Sequence, residues 1–199
     1  GYEYMIQNYS VVKAKSSGSA SDDVPVLQSG TNFEASGNDE KQAMISGFAR
    51  IGYDFRNRYI ISGSIRADGS SKFAKGNRWG YFPAASVAWL VSEEPFWSNA
   101  KRTANTFKLR LSYGQTGNNG IGLYDTYGAF ETSSYGSLPT MIPSKMQNTS
   151  MKWETTTQLD AGMDLSFLKD RVRFIFDYYN KVTSNMLFSI TLPDTSPYS

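Results

Sequence analysis

Alternation of apolar and polar residues, repeated in six segments of about ten residues, constrains this chain more than any other feature. From Ala43 to Phe55 the odd positions carry Ala43, Ile45, Gly47, Ala49, Ile51, Tyr53 and Phe55, while the even positions include Ser46, Arg50 and Asp54. After Arg56-Asn57-Arg58 the pattern resumes, with Tyr59, Ile61, Gly63, Ile65 and Ala67 set against Ser62, Ser64, Arg66 and Asp68. It returns over 107–113, 159–167 and 172–179. Residues 81–91 are the least clean case, because Ala84, Ala85, Val87 and Ala88 blur the two faces and Pro83 belongs near a strand end or bulge. A period of 2 is that of a strand. The expected fold is all-β and antiparallel, with about six strands.

Alternation alone leaves two media open for the apolar face: a dry core, or lipid. Segments of about ten residues suit a tilted membrane-crossing strand, and no run of 18 apolar residues offers a spanning helix. The connections also sort by length. Those at 56–58 and 168–171 are tight and 92–105 is moderate, whereas 68–80 and 114–152 are long and rich in Gly, Ser and Asn. Short turns on one side and long loops on the other is the outer-membrane arrangement. Residues 14–42 read as a further long loop. Aromatic residues cluster near strand ends (Tyr53, Phe55, Tyr59, Trp89 and Phe167 by the short connections, Tyr113 and Tyr178 by the long ones), as in interfacial girdles.

The polar face then carries Arg50, Asp54, Arg66, Lys108, Arg110, Asp160, Asp164, Arg173 and Asp177. A dry core would charge several kcal/mol for each unpaired ion, whereas a wet lumen accepts them. Arg50, Arg66, Arg110, Asp160, Asp164 and Arg173 are therefore expected to face a lumen.

Chemistry finds little footing. The 199 residues contain no cysteine and no histidine, which removes thiol-ligated metals, disulfides and the usual general base. Twenty basic against 18 acidic residues, with no block of like charge, gives no reason to expect nucleic acid. Gly117-Asn118-Asn119-Gly120-Ile121-Gly122 has the wrong glycine order for a dinucleotide fingerprint. Glu93-Glu94 and Asp22-Asp23 read as solvated or helix-starting charges. No catalytic residue, metal or cofactor is expected, and the chain is not expected to be an enzyme. Gly1-Tyr2-Glu3-Tyr4-Met5 has no charged or apolar leader character, so the chain reads as a piece of something longer.

Arg66-Ala67-Asp68-Gly69-Ser70-Ser71-Lys72-Phe73, then Trp79-Gly80-Tyr81-Phe82-Pro83-Ala84-Ala85-Ser86, resembles a signature of the SusC/RagA family of TonB-linked outer-membrane proteins. Further blocks follow in the family's order: Ala88-Trp89, Ser92-Glu93-Glu94-Pro95-Phe96, Leu109 to Asn118, Trp153 to Gln158, and Phe176 to Lys181. Leu90 and Ala74 depart from the family's usual residues. The resemblance implies a partial β-barrel over 1–199, with 1–42 mostly extracellular loop and 43–192 strands and loops, cut from a 22-stranded transmembrane barrel. It shows no counterpart of the plug domain or the family's terminal strand. It also implies energised import of glycan or peptide fragments at the cell outer membrane. The implied partners are a SusD-like surface lipoprotein, the TonB complex (through regions absent here) and outer-membrane lipid.

Aromatic residues in the long connections are the candidates for touching cargo or partner: Trp79, Tyr124, Tyr127 and Trp153, with Phe130 and Tyr135. Packing of the loops against one another is the alternative for each. Read without the resemblance, a passive porin and a secreted all-β binding module remain open.

Overall fold

The computed structural model describes residues 1–18, 23 and 26–188. Among the described residues there are nine strands: β1 (Tyr2–Ser17), β2 (Asn32–Phe55), β3 (Tyr59–Ser70), β4 (Trp79–Leu90), β5 (Ala104–Asn118), β6 (Ala129–Tyr135), β7 (Leu138–Lys145), β8 (Glu154–Phe167) and β9 (Val172–Ser184). Seven form one sheet in the order β1-β2-β3-β4-β5-β8-β9, and β6 and β7 form a separate hairpin. Every pairing is antiparallel. The main sheet is an up-and-down meander, so its connections fall alternately at its two ends.

The tight turns explain themselves. Arg56 and Asn57 both have positive φ and the Arg58 N–H donates to Phe55 O at 3.1 Å, a tight turn of primed type inside the 56–58 connection. Asp54 Oδ1 accepts the Asn57 N–H at 2.8 Å and holds that turn. The 91–103 connection is three short 3-10 turns: Val91–Glu93, Pro95–Trp97 and Ala100–Arg102.

Two expectations about loops are corrected. Residues 14–42 are not one long loop: β1 pairs with β2 residue by residue from Tyr2↔Gly47 to Ser17↔Asn32. Beyond the top of β3 this ribbon is polar and exposed on both faces, so it lacks the alternation that marks a half-buried strand. The end of β1 and the start of β2 do lie at the end of the sheet that bears the long connections. The 114–152 stretch likewise contains the end of β5 and the β6–β7 hairpin. The main sheet therefore has seven strands where six were expected. Asp22 and residues 189–192 lie outside the described residues.

The registers settle the two faces. Ile51, Gly63, Ala85, Tyr113 and Leu159 lie in one cross-strand row, and Tyr53, Ile61, Val87, Leu111, Ala161 and Tyr178 in the next. This apolar face is open: Ile51 is 75% exposed, Ile65 51%, Leu111 48% and Phe174 60%. At its short-connection end the Trp97 ring packs on Phe107 of this face, 5.2 Å between centroids. Among the described residues Phe73, Phe82, Ile121 and Trp153 form a buried cluster at the long-connection end, and Val91 and Ala104 are buried at the short-connection end.

Candidate functional site

On the opposite face the register gathers all six expected charges, Arg50, Arg66, Arg110, Asp160, Asp164 and Arg173. Arg66 Nε donates to both Asp68 oxygens, at 2.8 and 2.9 Å, and its Nη2 reaches Ser46 Oγ at 3.0 Å and Glu3 at 3.4 Å. Lower on the sheet, Arg110 grips Asp164 through two hydrogen bonds, at 2.9 and 3.1 Å, and Asp177 at 2.9 Å. Gly162 stands opposite Arg110, and a Cβ there would sit 2.8 Å from the guanidinium carbon. The missing side chain is what lets the guanidinium lie flat across β8.

Between these ion-pair networks the wall is recessed. One row reads Arg50, Ser64, Ala84, Gly114 and Gln158, and the next Gly52, Ser62, Ser86, Ser112 and Asp160. These small side chains line a hollow of about 360 Å³ reaching across five strands. Ser62 and Ser86 share a 2.8 Å hydrogen bond, and Asp160 accepts from Ser112 at 3.1 Å and Gln158 at 2.7 Å.

The long connections close over the packed cluster. Phe73 is fully buried, and the Phe82 ring lies against Trp153 at 5.5 Å between centroids. Gly117 exists for that ring: a Cβ there would meet Phe82 Cζ at 1.9 Å. Trp153 Nε1 donates to Arg78 O at 3.0 Å, Arg78 Nε to Phe73 O at 3.1 Å, and buried Thr126 Oγ1 to Lys72 O at 3.0 Å. The signature blocks around 66–73, 79–86, 112–118 and 153–158 thus meet as one construction.

The four aromatic candidates separate. Trp153, at 6% exposure, is packed away, so loop packing is its role in this chain. Trp79 pairs with Gly69 on the apolar face, level with Ile45, and is a rim residue of the outer surface. Tyr124 and Tyr127 stand exposed in the connection after β5, and the Tyr127 hydroxyl is tied to Arg78 at 3.3 Å. Nearby, burial pushes the Asp125 carboxyl up, but the Lys145 ammonium and the Gly122 N–H outweigh it and hold the group below its ordinary value.

At the short-connection end Glu93 is exposed in the Val91–Glu93 turn and Glu94 stands at the N-cap of the Pro95–Trp97 turn, as read from the sequence, but Glu94 is also tied down. Glu94 is no solvated charge: its carboxylate accepts from the Tyr59 hydroxyl, from Trp89 Nε1 at 3.1 Å and from Arg58 at 3.4 Å. These bonds, the Tyr59 hydroxyl first and then the indole, hold its pKa below the ordinary carboxylate value against the opposing effect of burial. Trp89 is five residues away, but Tyr59 and Arg58 are distant in sequence, and the Tyr59↔Trp89 pairing brings them to Glu94. Tyr53, Phe55, Tyr59 and Trp89 follow one another at 6.3–6.4 Å between ring centroids. From Trp89 to Trp79 is ten residues along β4, about 34 Å, or about 26 Å along the normal of a strand tilted by about 40°. That is the height of a lipid-facing band. Among the described residues no three acidic side chains come together to hold a metal ion.

A family model described as TonB dependent receptor-like, beta-barrel matches residues 2–199. The chain belongs to this family. A TonB-dependent receptor of Formosa agariphila is 37% identical over 170 residues, covering 84% of the chain and 16% of the relative. The TonB-dependent receptor SusC of Bacteroides thetaiotaomicron is 35% identical over 162 residues, covering 77% and 16%. Among solved structures, the RagAB peptide transporter superposes with a TM-score of 0.86 at 25% identity, covering 96% of the chain and 22% of its counterpart. The chain spans about a sixth of the length of these curated relatives. Its resemblance to the SusC/RagA group thus holds in sequence and fold. The sheet is a segment of a transmembrane TonB-dependent receptor barrel, with its apolar face exposed.

Proposed function

We propose that this chain supplies barrel wall and external loops to a TonB-dependent importer in the outer membrane, one that takes up glycan or peptide fragments. A single observation carries the reading: the apolar face is broadly exposed while the opposite face is ion-paired and recessed. A porin would share that geometry, but the packed loop core built from the SusC/RagA signature blocks favours the receptor class. In this reading Arg50, Arg66, Arg110, Asp160, Asp164 and Arg173 line the passage. The exposed Tyr124 and Tyr127 are where cargo or a SusD-like surface lipoprotein touches the loops. The TonB complex acts through regions outside these residues. The likeness to a protein titled a peptide transporter and to SusC leaves both cargo classes for the test.

The test is uptake by cells making the full-length protein. Fluorescent oligopeptides and oligosaccharides are offered to the parent strain, to a deletion strain and to a strain treated with a protonophore. Energy-dependent uptake of one class, lost on deletion, is the expected result. Uptake that survives the protonophore would make the barrel a passive pore.

A further inference from the structure

The short-connection end of the sheet carries charge that the import reading does not use. Each of its three connections holds two cations: Arg56 and Arg58, Lys101 and Arg102, Lys169 and Arg171. Glu94 takes Arg58 at 3.4 Å, and Glu93 takes Lys101 at 3.0 Å. Asp170 accepts the Ser166 hydroxyl. Arg56, Arg102, Lys169 and Arg171 are left exposed, with no acidic partner among the described residues.

Their level is fixed by the ladder of Tyr53, Phe55, Tyr59 and Trp89, which marks the edge of the apolar band. The cations sit in the turns just past that edge. Arg56 is turned toward the membrane side: its guanidinium carbon lies 5.0 Å from the centroid of the Phe55 ring, on the lipid-facing surface. The three turns are two strands apart, so they place positive charge about every 10 Å along the rim. That spacing is close to the screening length in physiological salt, so the charges act together on whatever lies beside them.

We propose that this rim binds the phosphate groups of anionic phospholipid in the inner leaflet, fixing the depth of the barrel. Arg56, Arg102, Lys169 and Arg171 supply the contacts, and the aromatic ladder sets the height at which they meet the headgroups. The proposal rests on the membrane placement of the sheet and not on import. Lipid binding can therefore fail while uptake stands, and the reverse.

The experiment uses the full-length protein in neutral detergent, titrated with phosphatidylglycerol or with phosphatidylcholine of the same chains and followed by thermal unfolding. Phosphatidylglycerol should raise the melting temperature more than phosphatidylcholine does, and about 0.5 M salt should shrink the difference. The variant R56Q/R102Q/K169Q/R171Q should need at least about tenfold more phosphatidylglycerol for the same rise. K13Q/K15Q/K41Q/K75Q, altered at the opposite end, should respond like the parent. Equal effects of the two lipids, no salt dependence, or an unchanged response in the first variant would overturn the proposal. So would loss of the response in the second variant. If the first variant does not assemble, the salt dependence of the parent decides. An unchanged lipid response together with lost growth would assign the cations to a periplasmic protein instead.

Discussion

At the scale of the residue, the sharpest features are places where one side chain exists to admit another. A methyl group at Gly117 would enter a ring that Trp153 prevents from moving. Gly117→Ala should destabilise the full-length protein by about 1–3 kcal/mol. Phe82→Ala in the same molecule should recover part of that loss, a coupling a double-mutant cycle in thermal or denaturant unfolding would measure. Additive losses would mean that the ring and the glycine do not touch. Glu94 makes a second case, with a pH signature. Its pKa is lowered in the fold, so its contribution to stability is complete above the ordinary glutamate value and fades as pH falls through the lowered one. Melting temperature between pH 6 and 3 should therefore drop more steeply in the parent than in Glu94→Gln, and parallel curves would discard the latch. The sequence showed the types of these residues and their order but not their meetings. Phe82, Gly117 and Trp153 are joined only by the β4–β5–β8 pairing, and Glu94 meets Tyr59 only across β3 and β4.

At the scale of the element, a strand is specified by what touches each face. The strands flanked by unlike media were legible from alternation, as β3 shows with Ile61 and Ile65 set against Ser62, Ser64 and Arg66. The β1–β2 ribbon was not, because water reaches both its faces and backbone hydrogen bonding holds it with polar side-chain pairs such as Gln7–Gln42 and Lys15–Glu34, leaving no periodic mark on 7–17 or 32–42. The same logic gives a paired expectation at the middle of β3. An arginine replacing Ile65 meets acyl chains near mid-membrane and should cost about 2–4 kcal/mol. An arginine replacing Ser64, one position along, enters the wet recess and should be tolerated. The readout is the yield of heat-modifiable full-length protein in the outer-membrane fraction. Equal yields, or loss at Ser64 with tolerance at Ile65, would mean that the two media have been assigned to the wrong faces.

At the scale of the whole molecule, the seven-stranded sheet is a wall without closure. β1 and β9 each have one neighbour in it, so their outer edges present unpaired N–H and C=O groups along 16 and 13 residues. A barrel needs at least eight strands to close, and an open apolar face with two raw edges gains nothing from staying monomeric in water or in a micelle. The loop core of Phe73, Phe82, Ile121 and Trp153 is too small an interior to stabilise the sheet in water. Residues 1–199 made alone should therefore aggregate without detergent. Even in detergent they should show no heat-modifiable band on seminative gels, whereas the full-length receptor should show one. Supplying the remainder of the receptor as a second polypeptide gives β1 and β9 their missing neighbours, and the band should then appear. A fragment that ran as a soluble monomer of 22.2 kDa, with Ile51, Ile65 and Phe174 protected from solvent, would mean that the apolar face closes on itself and that lipid was never its medium.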